Sequence, residues 1–276
     1  MPVNRRVLRS AGVRILEIAC SPVKSLGLLY PAQVDLTLQG LPTNRRFFLV
    51  DDQRQMVNGK RIGRLVQVQP EFDEAANRLT LRFPDGEQVS DVVEPGEPIE
   101  AIFYGRPRPG RLVNGPWSAA LSEFAGQSVR LAAPAEGLTG VDRGVAGGVS
   151  LASVASIDRL ARELGVDSVD RRRFRMLFWI DGDLEPHAED AWVGSQLRLG
   201  EAVVAMHGHV GRCAVTTQNP ESGVPDLDTL RGLNAYRDPA ATTSPLALGI
   251  WGEVVEPGRV RVGDAVRLDS LEFAAS

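Results

Sequence analysis

Hydrophobic and polar residues alternate through much of the first hundred positions, which is the period-two pattern of strands with one buried face. Turn-forming pairs such as Asn58-Gly59 and Asp85-Gly86 separate the alternating runs. We therefore predict a mainly β region that folds as a small barrel or a sandwich. The runs are VRILEIAC from Val13, QVDLT from Gln33, RFFLVDD from Arg46, LVQVQ from Leu65 and RLTLRF from Arg78.

Proline and glycine crowd residues 84–116, interrupted by one strand-like piece at 99–104. Such a composition is typical of a boundary between domains. We predict a disordered arm at residues 1–12, an N-terminal β-barrel region at 13–115 and a second domain at 116–272.

Apolar residues spaced by three and four predict helices only after residue 116. A short helix is predicted in WSAALSEFAG, residues 117–126, and a longer one in SLASVASIDRLARELG, residues 150–165. Gly126 and Gly165 stand where helices end. A third helix is predicted in DLDTLRGLNAYR, residues 226–237.

Strands are predicted around these helices, in MLFWI from Met176 and LRLGEAVVAMHGHV from Leu197. One internal likeness joins RLGEAV at 198–203 to RVGDAV at 261–266. Both predict a strand, a tight turn and a strand, as in two hairpins of one β-barrel. The chain is therefore predicted to be α+β and mainly β, with a few flanking helices.

Composition narrows the classes of function. The formal net charge of −4 disfavours a nucleic-acid partner, because phosphate-backbone binders need an excess of Lys and Arg. The apolar runs are too short to cross a bilayer, and the N-terminus has no secretory pattern, so no membrane is expected. Two cysteines, Cys20 and Cys213, supply neither a disulfide framework nor four iron–sulfur ligands. We expect a reducing, cytoplasmic location.

Cys213 is the first candidate for chemistry, because it follows Arg212. A neighbouring guanidinium favours the thiolate, the form that binds metals and attacks electrophiles. The alternative is a cysteine that fills a barrel core, and the dipeptide alone favours that alternative.

Other residues could bind an anion. Lys24 and Ser25 follow the first predicted strand, and Arg175 ends an arginine-rich run just before a buried one. The turn at Val145 to Gly148, which contains Gly147, is predicted to expose backbone N–H groups just before a helix N-terminus, a place that attracts anions. For Lys24 and the arginine run, a solvated surface is the more ordinary interpretation.

Histidines and paired acids give weaker signals. His207 and His209 would share one face of a strand and could bind a metal, but ordinary histidines are the favoured interpretation. His187 is expected in a surface loop. Glu189 and Asp190 could act as an acid and base pair, although helix capping or pairing with arginine is favoured. No hydrolase, Walker or dinucleotide motif is present.

Six motifs, taken in order, resemble those of MOSC-domain proteins that carry an N-terminal β-barrel region. They are similar to the patterns YPVKS, DRFWLV, FRPNIVI, AEDxW and RC-x-x-TT-x-(D/N)P-x-(S/T)G of the mitochondrial amidoxime-reducing component and its bacterial relatives. In this chain they are SPVKS from Ser21, NRRFFLVDD from Asn44, RFRMLFWIDG from Arg173, AEDAW from Ala188, RCAVTTQNPESG from Arg212 and the closing VRVGDAVRL from Val260.

The resemblance implies a molybdenum cofactor, a molybdopterin whose metal takes one protein thiolate, and places that thiolate at Cys213. The dipeptide alone favours a cysteine that fills the core, but the resemblance instead favours a metal ligand at this position. Arg212 would neutralise charge near the metal, and the turn containing Gly147 and Gly148 would contribute backbone N–H groups. The residues that match the family's cofactor anchors are Lys24, Ser25, Arg46 and Arg175.

The activity implied is reduction of N-hydroxylated or N-oxide small molecules, with electrons from a separate flavin or iron–sulfur protein. Some family residues are replaced here, by Ser21, Val145-Ala146-Gly147, Leu177 and Gly211, and each loss removes a hydrogen bond worth roughly 0.5–1.5 kcal/mol. Two alternatives therefore stay open. One is a non-catalytic carrier of the cofactor, or of sulfur on Cys213, and the other is a barrel that binds a different small anion.

Overall fold

The computed structural model describes residues 12–269. The predicted disordered arm therefore lies outside the described residues, apart from Gly12. The first strands are β1 Arg14–Ile18, β2 Gln33–Leu36, β3 Phe48–Val50, β4 Met56–Val57, β5 Gln69–Asp73, β6 Arg78–Arg82, β7 Gln88–Val92, β8 Glu94–Phe103 and β9 Arg106–Asn114. Then follow α1 Trp117–Ala125, β10 Arg130–Pro134, β11 Val149–Ser153, α2 Val154–Leu164, β12 Phe178–Asp181, β13 Gln196–Leu199, β14 Ala202–Gly211, α3 Thr229–Tyr236, β15 Ala247–Glu256, β16 Gly258–Arg261 and β17 Val266–Leu268.

Seven strands form a sheet in the order β1-β12-β11-β15-β14-β13-β17. Its two outer strands meet, since the Ile15 N–H donates to the Asp264 carbonyl at 2.8 Å and the Val266 N–H donates to the Val13 carbonyl at 3.0 Å. The sheet thus closes on itself around a buried aliphatic core. The predicted mainly β fold with a barrel in the second half is confirmed.

A second, smaller barrel is built from five strands in the order β4-β3-β10-β9-β8. The Ile102 N–H donates to the Arg54 carbonyl at 2.8 Å, and this bond brings the ends of the sheet together. The three-stranded sheet β5-β6-β7 and α1 cover one side of it. Trp117 of α1 is fully buried and donates its indole N–H to the Leu79 carbonyl at 3.0 Å.

The two barrels share chain segments. α1 and β10, on the C-terminal side of the predicted division at residue 115, pack and pair with the N-terminal barrel. β1 and β2 instead pair with β12 and β16 of the second half. The proline-rich stretch at 84–116 contains the long β8–β9 hairpin rather than a linker. Pro95 and Pro98 lie in β8, an edge strand of its sheet, where a missing N–H is tolerated.

All three predicted helices are confirmed, and α1 and α2 each end at a glycine in the left-handed conformation, Gly126 and Gly165. The predicted strand LVQVQ is wrong, because residues Gly63–Gln67 form a 3₁₀ helix. Leu65 and Val68 are buried at a spacing of three, which is the period of a 3₁₀ turn rather than of a strand.

The predictions for two turns are also corrected. The turn around Gly147 leads into strand β11, and α2 begins only at Val154, so this turn does not precede a helix N-terminus. RVGDAV does not form a hairpin either, because β16 pairs with β2 and β17 pairs with β13. The β13–β14 hairpin predicted from RLGEAV is confirmed.

Two glycines join the barrels at a close backbone contact. A Cβ on Gly63 would lie 2.1 Å from the Gly223 carbonyl oxygen, and a Cβ on Gly223 would lie 2.0 Å from that of Gly63. Beside them, the Gln218 side chain donates to the Gly59 carbonyl at 2.8 Å. Gly223 closes the NPESG motif, and this contact gives a packing reason for that glycine.

We expect Gly63→Ala to destabilise the fold by about 1–3 kcal/mol, because the added methyl must push two backbones apart. Gly59→Ala is the matched control, since its Cβ would meet no atom closer than 3.6 Å. Urea unfolding of both variants measures the difference. Equal urea midpoints for the two variants would contradict the close backbone contact between Gly63 and Gly223.

Candidate functional site

An open cleft of about 770 Å³ lies between the two barrels. Strand β14 and the 3₁₀ helix Ala214–Thr217 form one wall, and loops of the N-terminal barrel form the other. A recess of about 500 Å³ adjoins it and shares several side chains with it. The basic and acidic residues that line the cleft are Lys24, Arg45, Lys60, Asp142, Arg143, Arg173, Arg175 and Arg212.

Cys213 lies in the lining of this cleft and is exposed. It lies two residues beyond Gly211, the last residue of β14, and directly precedes the 3₁₀ helix, so its position is fixed by two regular elements. The alternative that Cys213 fills a barrel core is therefore wrong. Cys20 is the buried cysteine, and burial raises the pKa of its thiol to about 11. Cys213 is thus the thiol available for chemistry.

Positive charge dominates the cleft. Seven basic side chains and one carboxylate, Asp142, are found among the described residues that line it. Arg173 is paired with Asp226 at 2.6 Å, which leaves six cations facing Asp142. A concave surface with this excess attracts anions, and guanidinium groups bind phosphate or carboxylate oxygens through paired N–H bonds.

Asp142 partly balances the cations in this cleft. It forms an ion pair with the Lys24 ammonium, and the Arg45 guanidinium lies 3.8 Å away. Burial lowers the pKa of Lys24 to about 8, although Asp142 opposes this change. Burial would raise the pKa of Asp142, but Lys24 and Arg45 hold it below its ordinary value. An anionic ligand with more charge than one carboxylate would compensate these cations better.

Two arginines are held in place by backbone carbonyls. Arg175 adopts the left-handed conformation with φ 51° and donates to the Leu26 carbonyl at 2.6 Å. Arg212 donates to the carbonyls of Phe174 and Leu248, each at 2.9 Å. Burial lowers the pKa of Arg175 to about 10 and that of Arg212 to about 9, although Cys213 favours the charged form of Arg212. Arg212 therefore braces the wall beside the cysteine.

The structure brings most of the predicted site residues together. Lys24, Ser25, Arg175, Arg212 and Cys213 line the cleft.

Gly147 and Gly148 line the adjoining recess. A Cβ on Gly148 would lie 3.0 Å from the Gly40 Cα and 3.2 Å from the Val145 carbonyl oxygen, so packing between loops explains that glycine.

Arg46 lies elsewhere. Its guanidinium carbon is 4.8 Å from the ring centroid of Phe72, and the side chain lines a different cavity. Arg45 takes the place in the cleft that the motif suggested for Arg46. Arg45 has a left-handed backbone, φ 55°, and this local turn sends the two neighbouring side chains to different sides. Nothing in the sequence pattern distinguished the two arginines, nor did it mark Asp142 or Arg143.

The two histidines of β14 do not share a face. His207 is partly exposed and lies 3.1 Å from Glu253, whereas His209 is buried beside Asp190 and Thr243. The strand pairing shifts register between Met206 and Gly208, and such a bulge breaks the alternation of side chains. Among residues 12–269, no group of three or more His, Cys, Asp or Glu side chains is arranged to hold a metal ion.

Glu189 is fully buried and caps the start of α2, which confirms the capping interpretation. It accepts hydrogen bonds from the Ser153 N–H at 3.1 Å, the Ser153 hydroxyl at 2.8 Å and the Ser156 hydroxyl at 2.7 Å. Asp190 pairs with Arg237 at 2.6 Å. The expectation of a surface loop at His187 is wrong, because this ring is partly buried against Tyr236 and burial lowers its pKa to about 3.

Two family models match the chain. The MOSC N-terminal beta barrel domain matches residues 12–100, and the MOSC domain matches residues 141–267. The chain contains a MOSC domain behind a MOSC N-terminal barrel. In the structure, the closed seven-stranded sheet and Cys213 belong largely to the MOSC match, and the five-stranded sheet begins in the N-terminal match.

A curated relative is "Mitochondrial amidoxime-reducing component 1" of Danio rerio, 38% identical over 87 residues. That alignment covers 30% of this chain and 26% of the relative, so it spans about a quarter of the relative's length. The YuaD protein from Bacillus subtilis is similar at 11% identity and a TM-score of 0.44, over 92% of this chain and 94% of that one. YiiM from Geobacillus stearothermophilus is similar at 14% identity and a TM-score of 0.35, over 66% and 75%. In the part that the structure describes, the MOSC protein has no helix long and apolar enough to span a membrane.

Inorganic phosphate is expected to stabilise the protein, because a ligand that binds only the folded state raises the free energy of unfolding. We expect Arg45→Met to raise the dissociation constant for phosphate about 10-fold or more, since a charge-assisted hydrogen bond is worth roughly 1.5–3 kcal/mol. Arg46→Met is the matched control and is expected to leave the constant unchanged. Thermal unfolding over a phosphate series measures both. Weaker phosphate binding in Arg46→Met alone would contradict the placement of Arg45 in the cleft and would favour Arg46, the residue that the family motif indicates.

Proposed function

We propose that this chain binds a molybdenum cofactor in the cleft and reduces N-hydroxylated or N-oxide small molecules. MOSC domains are associated with this cofactor, and the named relative is an amidoxime-reducing component. The observation that carries the proposal is the exposed Cys213 thiol in the lining of a cleft with a large excess of cations.

The residues present fit such a cofactor. A molybdopterin brings a phosphate, which needs cations, and a metal that accepts a soft thiolate ligand. The cleft offers both, since Lys24, Arg45 and Arg175 supply positive charge and Cys213 supplies sulfur. The described side chains form no metal site by themselves, so a metal held here would need ligands from a cofactor as well as from the protein.

Each of these residues has a defined role in the proposed reaction. Lys24, Arg45 and Arg175 would hold the phosphate end, Cys213 would supply a sulfur ligand to the metal, and Arg212 would brace the wall beside it. When bound, the cofactor supplies oxygen-atom removal from the substrate. Two electrons and two protons convert an amidoxime into an amidine and water, and the electrons come from a separate flavin or iron–sulfur protein.

A second candidate function rests on the exposure of the same thiol. Because Cys213 is open to solvent, a partner protein could reach it, and the chain would then carry the cofactor, or sulfur as a persulfide, without turning over a substrate. The carrier and the reductase use the same cleft and differ in whether a small molecule is reduced there.

The test is protein made in a host that synthesises the cofactor. We expect about one molybdenum per chain and reduction of benzamidoxime with a chemical electron donor. Molybdenum without turnover would favour the carrier. Absence of both would leave the cleft as a site for another small anion and would overturn the proposal.

A further inference from the structure

Tyr104 occupies an unusual backbone position at the tip of the β8–β9 hairpin. Tyr104 and Gly105 form the two-residue turn, and both have positive φ, 52° and 79°. Turns with two left-handed residues strongly prefer Asn, Asp or Gly. An ordinary side chain there costs roughly 1–2 kcal/mol. A tyrosine at such a place points to a use for its side chain beyond the turn.

That side chain lines the cleft that contains Cys213. It is 61% exposed, although it is large and mostly apolar. Partial burial of the phenol raises the pKa of Tyr104 to about 12, and the Asp142 carboxylate and the Cys213 sulfur add to this rise.

The hairpin fixes the backbone position of Tyr104. β8 and β9 pair over eight positions up to Phe103 and Arg106, next to the turn. Phe103 is buried and packs edge-on against Phe48, with ring centroids 4.9 Å apart. Exposure of Tyr104 thus results from where a rigid hairpin ends. An aromatic ring presented in this way is suited to stacking on a flat ligand.

Charge near the ring restricts the ligand further. The Lys60 ammonium lies 5.7 Å from the Tyr104 ring centroid and has no carboxylate within ion-pair distance among residues 12–269. Because this ammonium lies beside the ring, a positively charged ligand stacked there would be repelled. Amidoximes are weakly basic and neutral near pH 7, whereas the amidine product is a cation, so the cleft disfavours the product more than the substrate.

We propose that Tyr104 is a substrate-positioning residue. Its ring stacks on planar, conjugated N-hydroxylated molecules without positive charge, and its phenol O–H donates a hydrogen bond to them. This inference rests on the proposed function, and it adds the class of substrate and the residue that selects it. Loss of one aromatic contact is worth about 0.5–1.5 kcal/mol, which corresponds to roughly a 2- to 12-fold weaker binding.

The experiment compares Tyr104→Asn and Tyr104→Phe with the parent protein. Asparagine suits the left-handed turn, so Tyr104→Asn is expected to fold at least as stably and to contain as much molybdenum. Calorimetry without an electron donor gives the dissociation constants of benzamidoxime and of acetamidoxime. We expect weaker binding of benzamidoxime to Tyr104→Asn, within the range above, and a smaller change in Tyr104→Phe. Acetamidoxime has no ring to stack, so its binding should weaken in both variants only by that smaller change.

Turnover provides the second measurement, in which KM for benzamidoxime rises in Tyr104→Asn by the same factor while kcat changes little. Equal dissociation constants in the parent and in Tyr104→Asn would overturn the role of Tyr104, even if the parent protein is an active reductase. A difference in binding without any turnover in the parent would instead refute the reductase and keep Tyr104 as part of an aromatic ligand site. Failure of benzamidoxime to bind the parent at all would overturn the inference.

Discussion

Cys213→Ser is expected to lower the rate of benzamidoxime reduction at least ~100-fold and to leave the fold intact. Substitution of residues that only orient a metal's ligands already lowers metal affinity or activity 10- to 100-fold. This change removes the sulfur that would bind the metal. A serine hydroxyl stays protonated at neutral pH and is a poor match for a soft metal. Because Cys213 is exposed, the free energy of unfolding should change by no more than ~0.5 kcal/mol.

Molybdenum content per chain, turnover with a chemical donor and urea unfolding together check this expectation. Cys20→Ala is the matched control, because that thiol is buried in the core of the seven-stranded barrel and lies outside the cleft lining. It should lose some stability and keep its turnover per folded chain. Equal activity of Cys213→Ser and the parent protein would refute the role given to the cysteine.

Glu189→Ala should cause the largest loss of stability among the changes considered, about 3 kcal/mol. The carboxylate accepts three hydrogen bonds in a fully buried place, and a buried donor left without a partner costs roughly 1–3 kcal/mol. The Ser153 and Ser156 hydroxyls already lie 2.7 Å apart and can bond to each other, which limits the loss. The Ser153 N–H has no such substitute, and an empty space remains beside α2.

Urea denaturation followed by circular dichroism measures this effect. Glu185→Ala serves as the control, because Glu185 belongs to the same segment but is exposed, and surface changes usually stay within ~0.5 kcal/mol. Similar midpoints for the two variants would mean that Glu189 is not the cap that the geometry indicates.

The elements that could be predicted from sequence are those set by local pattern. α2 carries its apolar spacing and its terminal Gly165 within one short segment, and both appear in the structure. Strand β6 shows Leu79 and Leu81 alternating with polar residues, and both leucines are buried. The family motifs then located most of the cleft, because they mark residues that the chain brings together from distant positions.

What could not be predicted depends on partners far along the chain or on single backbone turns. LVQVQ alternates like a strand, yet its burial follows a period of three because the segment forms a 3₁₀ helix, and Leu65 and Val68 pack into the core of the N-terminal barrel. Arg45 and Arg46 are chemically identical, and only the left-handed turn at Arg45 decides which one faces the cleft. The role proposed for Tyr104 could not be predicted, because neither the residue pattern around it nor its neighbours in the sequence mark it.

The strand β1 closes the seven-stranded barrel, although it belongs to the first matched region and not to the second. A fragment cut to residues 141–267 would lack strand β1 and would leave β12 and β17 with unpaired edges, which promote aggregation. The two regions are therefore not interchangeable modules, and a chimera that swaps either one must carry residues 14–18 with the barrel they complete.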